Sequence, residues 1–432
     1  MASVSDFISE DTGAFSCTVS AFLPRAAIVP FDCEPNGRSD VLVRAGDVVR
    51  EGQTIAQSTY SSVQATIPGT VEAVSAVQLP DGTLGQAATI NLGGAFSFTG
   101  KPRRRIDWNF CEIGMIQRLL AEHGVVNTFA GCEPLCAQIL NLHPRSARVL
   151  AVRLFDDDPS RVTEAFIAEH HATEVCEGAA IVAKAMGARG VVFAYGASGH
   201  GATWHDDASF AVPVCEVVCD TTRYPAGTRH DIVAAVKRQC KDEPFSAIGN
   251  RDVYIDAPTA LAAYRAVALS TPLMETYVHV TGGCLNAAAM MRVRIGTTLG
   301  DLAAQCGGFK RPVAGIVVNG ITTGFSVSSL AVPVSKMVKS VAFLPARKAR
   351  RQHDEECVRC GSCRKVCPVG LYPDMFRRSF LHGADATELE KRFAETSVLC
   401  TDCALCNAVC PARLPLSQIA ALLKGTYNDN EA

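Results

Sequence analysis

The sequence Cys357-Val358-Arg359-Cys360-Gly361-Ser362-Cys363-Arg364-Lys365-Val366-Cys367-Pro368 carries the pattern Cys-x2-Cys-x2-Cys-x3-Cys-Pro, which returns at Cys400, Cys403, Cys406, Cys410 and Pro411. Three thiolates at three-residue spacing can surround one face of an iron–sulfur cube, and the fourth, after a longer gap, points toward a second cube. The pattern therefore predicts two [4Fe–4S] clusters with crossed ligation. One would be held by Cys357, Cys360, Cys363 and Cys410, and the other by Cys400, Cys403, Cys406 and Cys367. Structural zinc sites stop at four ligands in two pairs, which disfavours zinc here.

The composition limits the class of protein. With 432 residues and a hydrophobic share of 48%, the chain is long enough for three to five modules with buried cores. Its 41 basic and 43 acidic residues give a net charge of −2, so we expect no nucleic-acid partner and no general attraction to a membrane surface. No apolar run is long enough to span a bilayer. The start of the chain, residues 1–11, lacks a signal-peptide pattern, so the 19 cysteines indicate a reducing compartment.

Two local clusters of basic residues leave two interpretations open. The first contains Lys101, Arg103, Arg104 and Arg105, and the second contains Arg347, Lys348, Arg350 and Arg351 just before the cysteine motifs. Each is either a solvated linker or a docking patch for an acidic electron carrier or for lipid head groups.

The first hundred residues predict a small β module behind a weakly patterned lead-in at residues 1–35. Between residues 36 and 100, short β-branched runs alternate with turn signals such as Ala45-Gly46-Asp47 and Asp81-Gly82. The stretches 44–53 and 67–71 resemble the barrel-sandwich hybrid of biotinyl and lipoyl carriers. Those carriers need an acceptor lysine, and the first hundred residues contain none. A structural or docking module is therefore expected, and a carrier is not.

Residues 101–270 predict an α/β domain. Helical patterns at 113–123, 160–170 and 174–186 alternate with apolar strands at 149–154 and 190–195. This alternation is typical of a largely parallel sheet.

Two loops of this domain contain candidate ligand-binding residues. Gly196, Gly199 and Gly201 follow a strand and form either a phosphate loop or a plain flexible loop, although their spacing fits no standard phosphate motif. The neighbouring His200, His205, Asp206 and Asp207 are either a metal site or surface residues. Asp156, Asp157, Asp158 and Pro159 also end a strand, where α/β proteins bind ligands; the alternative is a charged turn that caps the next helix.

The remaining third of the chain predicts two further modules. Strands at 277–280 and 293–295 and a short helix at 298–306 indicate another small β-containing module at residues 271–346. Residues 347–432 form the cysteine-rich domain, whose 32-residue spacer at 368–399 includes a helix that Asp385 and Glu388 would cap. We expect the spacer to pack as helices over the clusters and to exclude solvent, because two adjacent cubes serve electron transfer.

The order of these parts resembles the C subunit of the Rnf complex, the ion-translocating ferredoxin:NAD oxidoreductase of bacterial membranes. The resemblance extends over nearly the whole chain, and its most specific motifs are the two cysteine runs. It also includes several short phrases: Tyr224-Pro225-x-Gly227, Thr281-Gly282 with Ile295-Gly296-Thr297, Gly324-Phe325, Ser329-Leu330-x-Val332-Pro333-Val334, Leu371-x-Pro373 and Pro415-Leu416. The resemblance implies a barrel-sandwich hybrid, an α/β domain similar to the flavoprotein subunit of NADH dehydrogenase, a soluble-ligand-binding β-grasp module and a helical double [4Fe–4S] ferredoxin domain.

The resemblance implies a peripheral subunit on the cytoplasmic face of the bacterial inner membrane. It would exchange electrons between a soluble partner and the membrane subunits that move Na⁺ or H⁺. In this family the α/β domain has a flavin loop, Gly-x-Gly-Gly-Ala-Gly-Phe-Pro, and an acidic turn, Glu-Cys-Glu-Pro. These correspond here to residues 127–134 and 156–159, so the resemblance assigns candidate FMN contacts to Gly131, Pro134, Asp156 and Asp158.

Most glycines of the flavin loop are replaced in this chain. A flavin phosphate needs close backbone N–H groups, which Phe129 would obstruct, and Glu133 would repel the phosphate. We therefore hypothesise that the chain has lost its NADH-binding site and takes electrons from a soluble flavodoxin or ferredoxin instead of NADH. One alternative is a soluble flavin and iron–sulfur reductase similar to the cobalamin reductase of propanediol utilisation; another is a scaffold with structural clusters. No residue is predicted to be a general acid, general base or nucleophile.

Overall fold

The computed structural model describes residues 2–3, 18–31, 39–101, 105–197, 210–346 and 356–428. These residues form six sheets and a helical C-terminal region, as expected for a multidomain protein of mixed α/β class. Within these ranges, no helix has the length and apolar character needed to cross a membrane. Several predicted features lie outside the described residues: Gly199 and Gly201, the His200 to Asp207 group, Arg103, Arg104 and the basic cluster at 347–351.

Three short strands near the start of the chain each join a different sheet. Strand β1 (Ala2–Ser3) pairs with residues 223–224, and β2 (Val19–Ser20) pairs with residues 291–292. Strand β3 (Ala26–Pro30) pairs with residues 87–91. The sequence predicts a weakly patterned lead-in over residues 1–35, whereas the structure uses parts of this segment to connect three sheets. Strands of two residues carry no periodicity, so no sequence signal marks them.

Two antiparallel sheets enclose the first core. The strands that follow β3 are β4 (Asp40–Val41), β5 (Val48–Val49), β6 (Thr54–Gln57), β7 (Ser62–Gln64), β8 (Gly69–Gln78) and β9 (Leu84–Leu92). One sheet has the order β3-β9-β8-β5 and the other β4-β6-β7. Both contribute fully buried side chains, such as Ile90 and Ile55, to a shared core. Gly69 must be glycine because a Cβ there would lie 1.8 Å from the carbonyl oxygen of Asn91. The assignment to a barrel-sandwich hybrid stays a prediction.

A four-stranded parallel sheet organises the next region. Its elements are α1 (Ile113–Glu122), β10 (Val126–Asn127), β11 (Glu133–Pro134), α2 (Leu135–Leu140), β12 (Val149–Arg153), α3 (Thr163–His170), α4 (Ala172–Met186), β13 (Gly190–Gly196), β14 (Val214–Cys219), β15 (Arg223–Tyr224), α5 (Arg229–Gln239), β16 (Val253–Asp256) and α6 (Ala257–Ala268). The sheet has the order β14-β13-β12-β16, with every neighbouring pair parallel, as the alternation of helices and strands predicts. Helices α4 and α6 pack closely where Gly178 meets the backbone of Ala260.

One pair of cysteines marks where a strand and a helix of this region meet. The side chains of Cys215 on β14 and Cys240 at the end of α5 lie against each other, so the strand packs on the helix beside it. The two residues are 25 positions apart, so only the fold brings them together.

A six-stranded mixed sheet follows. Its elements are β17 (Glu275–Thr281), β18 (Ala289–Arg294), α7 (Leu299–Gln305), β19 (Val313–Val318), β20 (Phe325–Val327) and β21 (Ser340–Pro345). The sheet order is β2-β18-β17-β21-β19-β20, and α7 covers one face with Leu299 and Leu302. Thr298 caps α7 by accepting a 3.1 Å hydrogen bond from the amide of Asp301. The finer β-grasp assignment stays a prediction.

Five helices complete the described chain: α8 (Ser362–Val366), α9 (Pro373–His382), α10 (Glu388–Glu395), α11 (Leu405–Ala408) and α12 (Leu416–Asn428). The spacer between the cysteine runs is helical, as predicted. The predicted cap of α10 is wrong, however. The cap is Thr387, which accepts from the amide of Glu390 while Glu390 accepts from the amide of Thr387; Asp385 lies in a preceding 3-10 turn. Both Asp385 and Thr387 have a glutamate three residues later, so the sequence alone does not distinguish them.

Candidate iron–sulfur centres

The two cysteine runs fold into the same loop twice. In each run the third cysteine lies in a short helix, α8 or α11, and the fourth follows that helix. The backbone is left-handed at Arg359 (φ 55°) and Gly361 (φ 72°), and again at the corresponding Asp402 (φ 55°) and Ala404 (φ 54°). Three of these four are not glycine, so the surrounding structure must hold them in this conformation. Backbone turns of this kind direct N–H groups into a concavity that suits an anion such as a thiolate-ligated cluster.

Packing brings the fourth cysteine of each run toward the other run. Cys410 and Cys357 pack against the apolar group that contains the buried Cys363, together with Leu414 and Leu416. Cys367 and Cys400 pack on a second group, which includes Leu371, Phe376 and Ile419. Cys406 also borders the first group, so residues of both runs pack there. The crossed assignment of the ligands stays a prediction.

Burial makes two of the cysteine thiols of the second run poor isolated anions. It raises the pKa of both Cys400 and Cys406 to about 12, and nearby negative charges add to the shift. A thiolate at either position therefore needs a positive partner, which the irons of a cluster supply. All eight cysteines of the two runs are free of disulfides. Within the described ranges, no three His, Cys, Asp or Glu side chains converge on a single-ion site; a cube instead spreads four ligands over four irons.

Backbone amides already donate to two of the sulfur atoms. The Leu371 amide donates to Cys367 Sγ at 3.3 Å, and the Asp402 amide donates to Cys400 Sγ at 3.4 Å. Hydrogen bonds of this type raise the reduction potential of a cluster because they stabilise the more negative state. The donor set, the left-handed turns and these N–H groups all fit a [4Fe–4S] cluster.

The two cysteine loops differ in exposure. Cys360 is exposed, whereas Cys403 is buried beneath Tyr224, whose hydroxyl donates a 2.8 Å hydrogen bond to the Cys403 carbonyl. Tyr224 belongs to the α/β region and is only 2% exposed. One cysteine loop therefore faces solvent, and the other contacts the rest of the protein.

The positions that correspond to the flavin loop form a β-hairpin of β10 and β11. Phe129 in its turn is 4% exposed, and the guanidinium of Arg153 lies 4.3 Å from the centre of its ring. Gly131 has no positive φ, and a Cβ there would meet nothing within 4 Å, so the backbone does not require glycine. Pro134 is buried at the end of β11. The hairpin is therefore packed around Phe129.

The acidic turn 156–158 has protein partners at each position. Asp156 accepts hydrogen bonds from the amides of Glu164 and Ala165 and so caps α3, which was one of the two predicted alternatives. Asp157 pairs with Arg153 and Arg161. Asp158 is fully buried and accepts five hydrogen bonds, two from Ser160 and three from the loop that contains Thr322 and Thr323. The Asp158 carboxylate thereby joins the α/β region to the six-stranded sheet.

A buried ionic cluster fills the carboxyl edge of the parallel sheet, and it was not predicted from the sequence. Lys339 Nζ lies 2.7 Å from Glu164 and 2.6 Å from Asp256, and it also donates to the Thr128 carbonyl. Arg153 makes a two-point contact with Glu164 at 2.8 and 2.9 Å. The sequence does show that a charged residue ends each of two apolar strands: Arg153 ends β12 and Asp256 ends β16. Lys339, which lies directly before β21 of the six-stranded sheet, had no such signal.

One small cavity lies beside this cluster. The cavity lined by Thr128, Thr259 and Lys336 has a volume of about 30 Å³, whereas ligand sites commonly measure roughly 300–1,000 Å³. Among the described residues, which do not include 198–209 after β13, side chains of the ionic cluster occupy part of the carboxyl edge where sheets of this kind usually bind ligands.

Comparison with known proteins first defines the class. Residues 353–414 match the family model of a 4Fe–4S dicluster domain, so the C-terminal region is of the iron–sulfur type that its cysteines predict.

Longer similarities then indicate the particular relatives. The C subunit of the proton-translocating ferredoxin:NAD⁺ oxidoreductase complex of Clostridium ljungdahlii is 24% identical, over 82% of this chain and 78% of that protein. The C subunit of the ion-translocating oxidoreductase complex of Rhodobacter capsulatus is 26% identical, over 81% of this chain and 69% of its own length. The resemblance predicted from the sequence is thereby confirmed. Among solved structures, a chain of an NAD⁺-reducing [NiFe]-hydrogenase is 12% identical, with a TM-score of 0.46, over 72% of this chain and 61% of that chain.

Proposed function

We propose that this protein is the electron-transfer subunit of a membrane-bound, ion-translocating redox complex of the Rnf type. It relays electrons through two [4Fe–4S] clusters between a soluble carrier and the other subunits. The duplicated cysteine loop carries the proposal, because its left-handed turns and the packing of the two runs against each other suit two adjacent clusters. The similarity of four fifths of the chain to the C subunits of such complexes supports the same function.

In this proposal the cysteines of the two runs are the cluster ligands. Cys357, Cys360, Cys363 and Cys410 hold one cluster, and Cys400, Cys403, Cys406 and Cys367 hold the other. Bound clusters supply reversible one-electron chemistry. The protein contributes the thiolates, the N–H groups beside Cys367 and Cys400, and the apolar side chains of Leu371, Phe376 and Ile419, which exclude water.

The electron source in this proposal is a flavodoxin or ferredoxin rather than NADH. The packed hairpin around Phe129 and the ionic cluster of Arg153, Glu164 and Lys339 support this choice, because they occupy the crevice that a flavin would need. Asp156 and Asp158 have protein partners, and Gly131 shows no backbone requirement for glycine. The other partners are the membrane subunits of the complex, and the location is the cytoplasmic face of the inner membrane.

Anaerobic reconstitution of the protein with iron and sulfide tests this function. We expect about eight irons per chain, no retained flavin, and two EPR signals that appear on titration with reduced flavodoxin. NADH should leave both signals unchanged. Stoichiometric FMN with reduction by NADH would refute the loss of NADH binding and restore the ordinary family mechanism, in which the chain takes electrons from NADH. Clusters that cannot be reversibly reduced would indicate a scaffold and would refute electron transfer altogether.

A further inference from the structure

We propose that the exposed side of the first cysteine loop is the docking surface for a small acidic redox protein, which exchanges one electron with the cluster held there. This surface, called the Cys360 face below, consists of Val358, Arg359, Cys360, Lys365 and Arg413. The inference rests on the proposed function and adds to it the point of electron entry or exit and the charge of the partner.

The first cysteine loop is the more exposed of the two. Cys360 is exposed and its neighbour Val358 is 63% exposed, so the described part of the chain leaves one edge of this cluster site uncovered. The corresponding Cys403 is buried against Tyr224. Because electron tunnelling slows steeply with distance, an external protein can approach closely at the first loop but not through the side that Tyr224 covers.

Exposed cations lie on and beside the first loop. Arg359, Arg364 and Lys365 are exposed on the loop itself, and the exposed Arg413 follows Ala412, which packs in the same apolar group as Cys363. The described acidic residues of this region are Glu356 and Asp374. Asp374 is already paired with Arg364. Among the described residues, no ion pair involves Arg359, Lys365 or Arg413. Counted over the described residues, this surface therefore carries more positive than negative charge, on a chain whose net charge is −2.

The arrangement suits a transient electron-transfer complex. A small apolar centre at Val358 permits close contact, while the surrounding cations steer an anionic partner and raise the association rate. Each productive encounter moves one electron, so one protein is oxidised and the other is reduced by the same amount. With the flavodoxin hydroquinone anion as donor, its flavin becomes the neutral semiquinone and the cluster gains the electron, and no covalent bond forms or breaks.

The test is a charge reversal, R359E/K365E/R413E, in the full cluster-loaded chain. Its matched control is K391E/R392E, which reverses exposed cations on α10, outside both cysteine loops. A flavodoxin of net negative charge serves as the probe. Stopped-flow spectroscopy measures the rate of electron exchange, and calorimetry measures binding of the oxidised flavodoxin, each at low and high salt.

We expect the triple variant to exchange electrons about tenfold or more slowly at low salt, and to bind flavodoxin more weakly by a similar factor. The rate of the unaltered protein should fall with salt, that of the triple variant should depend little on salt, and the α10 control should behave as the unaltered protein. Photoreduction with a small neutral deazaflavin checks independently that both clusters accept electrons in every variant. The docking surface is overturned if the triple variant is photoreduced normally and still exchanges electrons with flavodoxin at the unaltered rate. It is also overturned if the α10 control loses as much of its rate as the triple variant. Neither result affects the proposed function. Failure of photoreduction in the unaltered protein overturns the function itself.

Discussion

The hydroxyl of Tyr224 donates a 2.8 Å hydrogen bond to the backbone carbonyl of Cys403, and so connects the α/β region directly to the second cysteine loop. Three residues further along the chain, the Gly227 carbonyl accepts a 3.0 Å hydrogen bond from Arg153 in the buried ionic cluster. A short segment of chain therefore contacts both the ionic cluster and the iron–sulfur site.

The substitution Tyr224→Phe should change the midpoint potential of one cluster and leave that of the other unchanged. It removes the hydrogen bond to the Cys403 carbonyl, at a cost of about 1–3 kcal/mol in stability. EPR-monitored redox titration measures the potentials, and iron analysis checks cluster content. Tyr254→Phe is the matched control, because Tyr254 is equally buried and donates a 2.8 Å hydrogen bond to the Gly249 carbonyl, far along the chain from any cluster cysteine. Equal shifts in both variants would contradict the role of the Tyr224 contact.

Crossed ligation predicts which cysteine variants resemble one another. Cys410→Ala should alter the same EPR signal as Cys360→Ala, and Cys367→Ala should alter the same signal as Cys403→Ala, because each pair would share a cluster. Each variant should lose or convert one cluster while the other retains its spectrum. Spectra that instead group Cys410 with Cys403 would show that each run holds its own cluster.

The ionic cluster predicts a large loss of stability for Lys339→Met. This change leaves the fully buried Glu164 and Asp256 without the cation that lies between them. Breaking a buried pair in this way typically costs about 3–5 kcal/mol. The urea midpoint of the α/β region, followed by tryptophan fluorescence, measures the effect. Lys241→Met removes an exposed lysine and should change the stability by no more than about 0.5 kcal/mol; similar losses in both variants would argue against the ionic cluster as the cause.

The raised pKa of Asp156 predicts that the free energies of unfolding of the protein and its Asp156→Asn variant differ by an amount that depends on pH. Burial, with repulsion from Glu164, raises the pKa of this carboxyl from 3.8 to about 6, although Arg161 opposes the shift. The folded state therefore binds the proton more tightly than the unfolded state, and the charged carboxylate lowers stability above pH 6. Asparagine keeps an oxygen to cap α3 without that charge.

At pH 7.5 the asparagine variant should be the more stable, by on the order of 2 kcal/mol. This advantage should shrink by about 1.4 kcal/mol per pH unit below pH 6, as the carboxyl of the unaltered protein becomes protonated. Urea unfolding between pH 7.5 and pH 5 measures the difference. A constant difference across that range would show that the Asp156 pKa is not raised.

The parts of the fold that were predictable depend on local patterns. The apolar runs of β12 and β13 and the helices between them predicted the parallel sheet, and the cysteine spacing predicted the iron–sulfur domain. The sequence identified the acidic turn 156–158 but could not decide between a ligand-binding site and a cap of the next helix. The capping role of Asp156 depends on where α3 begins. The helical pattern placed that start at residue 160, whereas α3 begins at Thr163.

The missed features depend on contacts between distant parts of the chain. Lys339 is 175 residues from Glu164 and 83 residues from Asp256, so no spacing rule connects them. The Tyr224 contact with Cys403 spans 179 residues. The Tyr-Pro phrase was recognised as part of a family resemblance, but nothing in the sequence indicated that its hydroxyl lies on a cysteine loop.

The early strands have a consequence for synthesis on the ribosome. Strand β2 leaves the ribosome long before its partner β18, since Val19 pairs with Met291. At typical rates of about 5–20 residues per second, the interval lasts roughly 15–50 s. During that time β2 has no sheet to join. Once β18 has been made, it forms an unpaired edge of the six-stranded sheet until β2 pairs with it. Assembly of the six-stranded sheet is therefore a late step of biogenesis, and the nascent chain is expected to need chaperone protection until it is complete.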